Sequence, residues 1–210
     1  MAYIPPIDNT ETQHEGMVHL TIRNTFFRRY LTLLALKTTA RFFQYYDGPC
    51  VRISKNLVVK TGSFVHLTEA ATMEFVAANT SIPVPHVYSS FVHRNRAYIV
   101  MERISGEPFT KAWKTLSDVE RESIFAQLRR MILEFRTLVP PPGTGVESCV
   151  GGSLRDSRIP HARPRFGPFK TIQDFHFWLR DGLQPKEHPE VKNVHITDQD
   201  WKDLREMAAK

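Results

Sequence analysis

The sequence predicts an α+β protein, with an antiparallel-sheet lobe carrying one helix at the front and an incomplete, mainly helical lobe behind it. Three observations carry this expectation. Short β-branched and aromatic runs come in two pairs around polar turns, with a helix pattern between the pairs. After Gly106 the apolar spacing changes to three and four residues, the period of a helix. Hydrophobic residues make up 41% of the 210 residues, enough apolar surface for a packed core.

The elements follow in order. The first twenty residues are polar, carry Pro5 and Pro6, and read as a loose arm. Phe27, Leu31 and Leu34 recur at helical spacing and predict a helix from about Asn24 to Tyr46. Arg23, Arg28, Arg29 and Lys37 lie among them, so this helix either rests on a membrane surface or packs on the rest of the chain, packing being the commoner outcome. Cys50–Ile53 and Leu57–Lys60 flank Ser54-Lys55-Asn56 as a hairpin, closed by Gly62. A helix over His66–Asn79 stops before Pro83 and Pro85. His86–Val92 and Ala97–Ile104 form the second strand pair around His93-Arg94-Asn95-Arg96.

Ser117 with Glu120 three residues on is a capping box, followed by the stripe Ile124, Leu128, Met131, Phe135, Leu138 and the stop Pro140-Pro141-Pro142. Residues 143–168 are rich in Gly, Pro and Arg and read as a long irregular loop. Two short helices follow near Thr171–Asp181 and Thr197–Ala209, each opened by a threonine cap and a first-turn acid. The chain thus divides into an arm and helix (1–47), a sheet lobe (48–105) and a partial helical lobe (106–210).

Net charge is +6, and a basic surface favours anionic partners such as nucleotides, phosphosugars, nucleic acid or acidic lipid, though a plain solvated cationic surface is the commoner account. Cys50 and Cys149 stand far apart and in no C-x-x-C pair, which argues against a disulfide framework or zinc site. The start carries no secretory pattern, and the apolar stretch Phe26–Leu36 is too short and too basic to span a bilayer. A cytoplasmic protein with reduced thiols and an unused sequon at Asn79 is the expectation.

The informative unit is Leu57-Val58-Val59-Lys60. A lysine ending an apolar strand needs an anion or water for its ammonium. Placed at about 100° per residue, Glu69 falls between Met73 and Val76 on the apolar face of the following helix. An acid there calls for a cationic partner, and Lys60 lies just upstream on a strand the helix would cover. Glu74 points instead towards the alanine-rich side, with Ala70, Ala71, Ala77 and Ala78. Glu69 is therefore the expected partner of Lys60.

The Val-Val-Lys strand, the Glu-bearing helix, Thr80-Ser81-Ile82-Pro83-Val84-Pro85, the strand Tyr98-Ile99-Val100-Met101-Glu102 and then Ile104-Ser105-Gly106 occur in one order. Gly167-Pro168-Phe169, Asp174-Phe175-His176 and Leu179 follow. Over residues 48–183 this set resembles the aminoglycoside phosphotransferase family, a branch of the protein-kinase-like fold, in its fungal form. The resemblance implies an ATP-dependent transfer of phosphate to a small-molecule hydroxyl. It implies that Lys60 meets the α- and β-phosphates of ATP, that Glu69 holds Lys60, and that the Ser54-Lys55-Asn56 turn lies over the phosphates. It further implies a hinge at Met101, Glu102 and Arg103 whose backbone N–H and C=O groups meet the adenine. The turn lacks the glycine-rich loop of protein kinases.

Phosphoryl transfer also needs an Asp beside the acceptor and Asn and Asp ligands for Mg²⁺. In the family a His-Gly-Asp loop supplies them, and no such run occurs here. By resemblance that loop would follow Lys210, so the Mg²⁺ site belongs to a longer protein. Asp181, in Arg180-Asp181-Gly182, lacks a preceding His, and Asp174 sits at a helix start rather than after strands. Neither replaces the missing acid. The expectation is a kinase-like phosphotransferase chain without turnover of its own. The alternative is a non-catalytic, pseudokinase-like scaffold that self-associates or binds a partner through apolar surface on the Ile124–Leu138 helix. A third candidate, nucleic-acid binding, rests on Arg155, Arg158, His161, Arg163 and Arg165 with Phe166 to stack on a base, and a solvated loop is the more economical account.

Overall fold

The computed structural model describes residues 17–43, 46–62, 64–156, 158, 165–180 and 182, with isolated positions after 198. The described residues fall in two compact units, one up to Pro141 and one from Pro142 onwards. The boundary falls at Pro142 rather than Gly106, so the long helix belongs with the sheet.

The first unit is a mixed α+β structure built on an antiparallel sheet. Its strands are β1 (Tyr46–Asp47), β2 (Cys50–Arg52), β3 (Leu57–Gly62), β4 (Val87–His93) and β5 (Arg96–Glu102). They lie side by side in the order β1-β2-β3-β5-β4. The turn chemistry explains both hairpins. Ser54 Oγ accepts the N–H groups of Asn56 and Leu57 at 3.3 and 3.1 Å and closes the β2–β3 turn. Between β4 and β5, Arg94 and Asn95 both take positive φ, 48° and 53°, the pattern whose twist matches a two-residue hairpin loop.

A register shift between Val87 and Ser89 is what lets β4 serve both faces. Val87 and Val92 pack in the cluster with Val58, Ile99 and Met101, while Phe91 packs with Val59 and Val100. Strict alternation cannot send Val87 and Phe91, four residues apart, to opposite faces; one extra residue can.

A helix covers each face. The first, α1 (Phe26–Lys37), is capped by Thr25 and lays Leu33, Ala35 and Leu36 on the Val59–Phe91–Val100 face. The second, α2 (Thr68–Asn79), covers the face of Val58, Ile99 and Met101 with Ala70 and Met73. The sheet lobe therefore carries two helices, not one. The expected helix from Asn24 to Tyr46 ends at Lys37, because Thr38 and Thr39 turn their hydroxyls back onto the carbonyls of Leu34 and Ala35. The single Thr39 hydroxyl proton is shared between Ala35 O and Ile53 O, 3.0 and 2.9 Å away, which turns the chain towards β2. The arm is not loose throughout: Met17 is only 2% exposed in the core, and Ile22 bridges to Ser90 of β4. Residues 1–16 of that arm lie outside the described residues.

After the sheet come α3 (Phe109–Ala112) and α4 (Asp118–Phe135). Ser117 and Glu120 form the predicted capping box at the start of α4. Glu134 near its other end accepts the N–H and hydroxyl of Ser81 at 2.5 and 2.9 Å, tying α4 to the segment after α2. In the second unit, α5 (Ile172–Leu179) begins at the predicted Thr171–Asp174 capping box. The segment before it is tied rather than irregular throughout, with bridges Val146–Phe169 and Leu154–Phe166. Phe166, Phe169, Phe175 and Trp178 pack there as one aromatic cluster. The helix expected over Thr197–Ala209 lies largely outside the described residues.

Candidate functional site

Strand alternation puts Val58 and Lys60 on the α2 side of the sheet. Lys60 reaches across to the first turn of α2, where its ammonium donates to Glu69 Oε2 at 2.5 Å. The two side chains are 28% and 33% exposed, so the pair is part-sheltered and not sealed. Glu74 faces elsewhere and pairs with Arg23 at 3.4 Å. The helical-wheel distinction between the two glutamates is thus realised in the structure. An ammonium carries three donors, and Glu69 takes one; the others remain available to an anion or to water.

A cavity of about 480 Å³ opens on the same sheet face at Val58 and Cys50; neither Lys60 nor Glu69 lines it. Cys50, Val58, Met101, Glu102, Arg103 and Ile104 line it, with Pro108 and Lys111 at its other side. Cys50 pairs directly across from Lys60, and Val58 precedes Lys60 by one step on the same face, about 7 Å along the strand. The volume lies within the usual range for a small-molecule site, ~300–1,000 Å³. The wall is apolar at Val58 and Met101, and its charges balance, Glu102 and Glu107 against Arg103 and Lys111, with Lys111 paired to Glu107 at 2.6 Å. Lys60 lies beyond Val58 on the strand.

The three expected hinge residues all line this cavity, but their backbone is not free as expected. Glu102 N–H donates to His86 O at 2.9 Å and Arg103 N–H to Asn56 O at 2.8 Å, because the ladder runs on past the end of β5. Those two donors are already spent inside the chain. The Glu102 carboxylate is in turn held by the His86 N–H at 3.3 Å. Ile104, the next residue along the lining, has no main-chain hydrogen bond among the described residues and is the better candidate to meet a ligand's polar edge. Sequence reasoning missed it by placing Ile104 inside a strand over Ala97–Ile104, whereas β5 ends at Glu102.

No group of three His, Cys, Asp or Glu able to hold a metal ion occurs among the described residues. Glu69 is engaged by Lys60, and Glu107, which lines the cavity, is engaged by Lys111. The residues described here therefore do not fit the Mg²⁺ that the resemblance implies. Asp174 is accounted for structurally, since its carboxylate caps α5 by accepting the Thr171 N–H at 3.2 Å. Asp181 lies outside the described residues.

The basic loop offered for nucleic acid is occupied with its own structure. Arg165 is buried, with Nε and an Nη donating to Ser153 Oγ and O at 2.7 and 2.5 Å. Arg158 pairs with Asp156 at 2.5 Å, and this partner holds the Asp156 carboxyl down at about 2. Phe166, expected to stack on a base, is buried and stacks on Trp178 at 4.7 Å between centroids. His161 and Arg163 lie outside the described residues.

No family model matches the chain, and no solved structure does. The chain is similar to a subtelomeric hrmA-associated cluster protein of Aspergillus fumigatus, found in two strains, with 37% identity over 76 residues. That stretch covers 33% of this chain and spans only 15% of the relatives' own length. No helix among the described residues is long and apolar enough to cross a membrane.

Proposed function

We propose that this chain is the nucleotide-binding part of a kinase-like phosphotransferase resembling the aminoglycoside phosphotransferase family. ATP lies in the cavity at Val58, Met101 and Ile104, with its phosphates towards Lys60. Glu69 positions Lys60; the Ser54-Lys55-Asn56 turn, expected over the phosphates, stands instead at the other end of β3, where Asn56 O accepts the Arg103 N–H. One observation carries this reading: a strand-borne lysine held by a helix-borne glutamate on the same sheet face as a cavity of ligand size. Among the described residues no acid stands to orient an acceptor hydroxyl and no group can hold Mg²⁺, and the sequence has no His-Gly-Asp run, so on this reading the chain transfers no phosphate by itself. A longer protein carrying a His-Gly-Asp loop would act on a small-molecule hydroxyl.

The test is a thermal-shift titration with ATP, paired with a transfer assay using labelled ATP. Lys60→Ala is expected to abolish an ATP-dependent stabilisation that the unaltered chain shows. Equal stabilisation of both proteins removes Lys60 from the site. Phosphate transfer by the purified chain, lost in Lys60→Ala, overturns the inactivity.

A second reading is a non-catalytic binding module, and α4 favours it. This 18-residue helix has no buried residue. Phe125, Leu128, Ile132 and Phe135 are all exposed, as is Val139 just past its end, and they recur at steps of three and four. An apolar stripe with that period is the seam of a helix pair.

A further inference from the structure

α1 is apolar on both sides. At about 100° per residue, Thr32, Leu33, Ala35 and Leu36 turn towards the sheet, where Thr32 is buried and the other three pack on its core. Phe26, Phe27, Tyr30, Leu31 and Leu34 occupy the opposite arc, about 140° wide, and all five are exposed, Phe26 and Phe27 at 77% and 74%. Phe26 stacks on Tyr30 and meets Phe27 edge-on, so the aromatic rings form one connected patch. A helix apolar all round belongs in a covered setting. Here nothing among the described residues covers the outer arc.

The surroundings say what kind of cover fits. Arg28 and Arg29 lie about 130° from the centre of the outer arc, on the sheet-facing side. Arg28 is held by Tyr88 O at 2.6 Å, and Arg29 lies over the Phe91 ring with a nitrogen 3.3 Å from His93. Both guanidinium groups are therefore tied to β4. His93 leads into the exposed Arg94 and Arg96 of the β4–β5 turn, and Lys37 is exposed at the helix end. Across residues 16–101 there are ten Lys and Arg against three acids, Asp47, Glu69 and Glu74. Glu69 and Glu74 are held by Lys60 and Arg23. The chain's cationic excess is thus gathered in the stretch that carries the exposed aromatic patch.

A groove of about 780 Å³ adjoins the patch. Leu31 and Leu34 belong to both, and Ala35, Leu57 and Val100 continue the apolar lining towards the sheet. This groove lies on the opposite side of the sheet from Lys60 and Glu69.

We propose that α1 is a membrane-surface element that seats this protein on an anionic lipid bilayer. Phe26, Phe27 and Tyr30 enter the headgroup boundary, the groove beside Leu31 and Leu34 receives an acyl chain, and Lys37, Arg94 and Arg96 face the lipid phosphates. An exposed apolar arc with basic edges lies in the interface plane, and its affinity sums the apolar area buried and the attraction to acidic lipid.

The experiment is flotation of the 210-residue chain with vesicles of phosphatidylcholine alone, or with about 30 mol% phosphatidylserine. Binding is expected to the anionic vesicles, to fall as salt is raised to about 0.5 M, and to be slight on neutral ones. The double variant Phe26→Ser/Phe27→Ser is expected to lose at least about tenfold in partitioning with an unchanged melting curve, since both rings are exposed in the free protein. The conservative Phe27→Trp is expected to retain binding and to shift its emission to the blue on vesicles. Failure to float with anionic vesicles, equal binding to neutral ones, or unimpaired binding of the double variant overturns the proposal. So does dimerisation lost in the double variant without vesicle binding, which gives the face to a second copy. Salt-sensitive oligonucleotide binding without vesicle binding gives the basic surface to nucleic acid and overturns it equally.

Discussion

Removing either member of the Lys60–Glu69 pair should weaken the first unit by a modest and predictable amount. At 2.5 Å the Coulomb attraction is about 7 kcal/mol at an effective dielectric of about 20, and about 2 kcal/mol in bulk water. Side-chain exposures of 28% and 33% put the pair between those limits, with water able to screen it. Ordering a lysine side chain costs up to about 2 kcal/mol, and solvent takes over much of the ion's solvation when the partner is lost. The net coupling is then about 1 kcal/mol. The assay is a double-mutant cycle on Lys60→Ala, Glu69→Ala and the double variant, by urea unfolding followed by circular dichroism. Each single variant should lower stability by ~1 kcal/mol, and the double should lose less than the sum by a similar amount. Additive losses would mean that the contact contributes nothing. A coupling of ~4 kcal/mol would mean that the pair is far more desolvated than its exposure indicates.

Four further outcomes are expected. Ile99→Ala empties a fully buried position between β3 and β4 and should cost ~2–5 kcal/mol in urea unfolding. Gly145→Ala drives a Cβ into the carbonyl oxygen of Phe169, beside the Val146–Phe169 bridge, and should destabilise the second unit, read as early loss of the near-ultraviolet signal of its aromatic cluster. Ser117→Ala removes the α4 cap and should cost about 1 kcal/mol of helix stability, seen as faster amide exchange in the first turn. The hydroxyl and backbone N–H of Ser117 hold the Glu120 carboxyl below its usual range, so this capping contribution is present above the ordinary carboxylate pKa and fades as pH falls through the lowered one; the fading should shrink in the variant, which keeps only the backbone N–H. Ile132→Glu breaks the exposed stripe of α4 and should abolish any concentration-dependent association in sedimentation while leaving the fold intact. Association that persists in this variant places the contact elsewhere.

The parts of the fold legible in the sequence are those set by local chemistry. Ser54-Lys55-Asn56 and Arg94-Asn95 announce the two hairpins, and Ser117–Glu120 and Thr171–Asp174 announce two helix starts. The choice of Glu69 over Glu74 was legible because it depends only on helix period and the side facing the sheet. What depended on tertiary packing was hidden. The register shift at Val87–Ser89 has no glycine to mark it, yet it reassigns Phe91 to the other face. Met17 gives no periodic signal, being one buried residue in a four-residue turn. The capture of the Glu102 and Arg103 N–H groups depends on carbonyls more than fifteen residues away, at His86, or on the β2–β3 turn, at Asn56. In α4 the spacing gave the stripe Ile124–Leu138, but a neighbouring stripe that shares Leu128 and Phe135 stays uncovered, and spacing says nothing of cover. Phe166 read as a surface aromatic because its partners Phe175 and Trp178 come together only through the bridges of the second unit.

The central claim is that a nucleotide sits against Lys60 and the end of β5. The direct measurement is an amide chemical-shift map of the isotope-labelled chain titrated with ATP. The account predicts saturable shifts at Val58, Lys60, Glu69 and Met101–Ile104, with none at α1 or α5, and their loss in Lys60→Ala. No saturable shift at these positions, or the same shifts in Lys60→Ala, would contradict it.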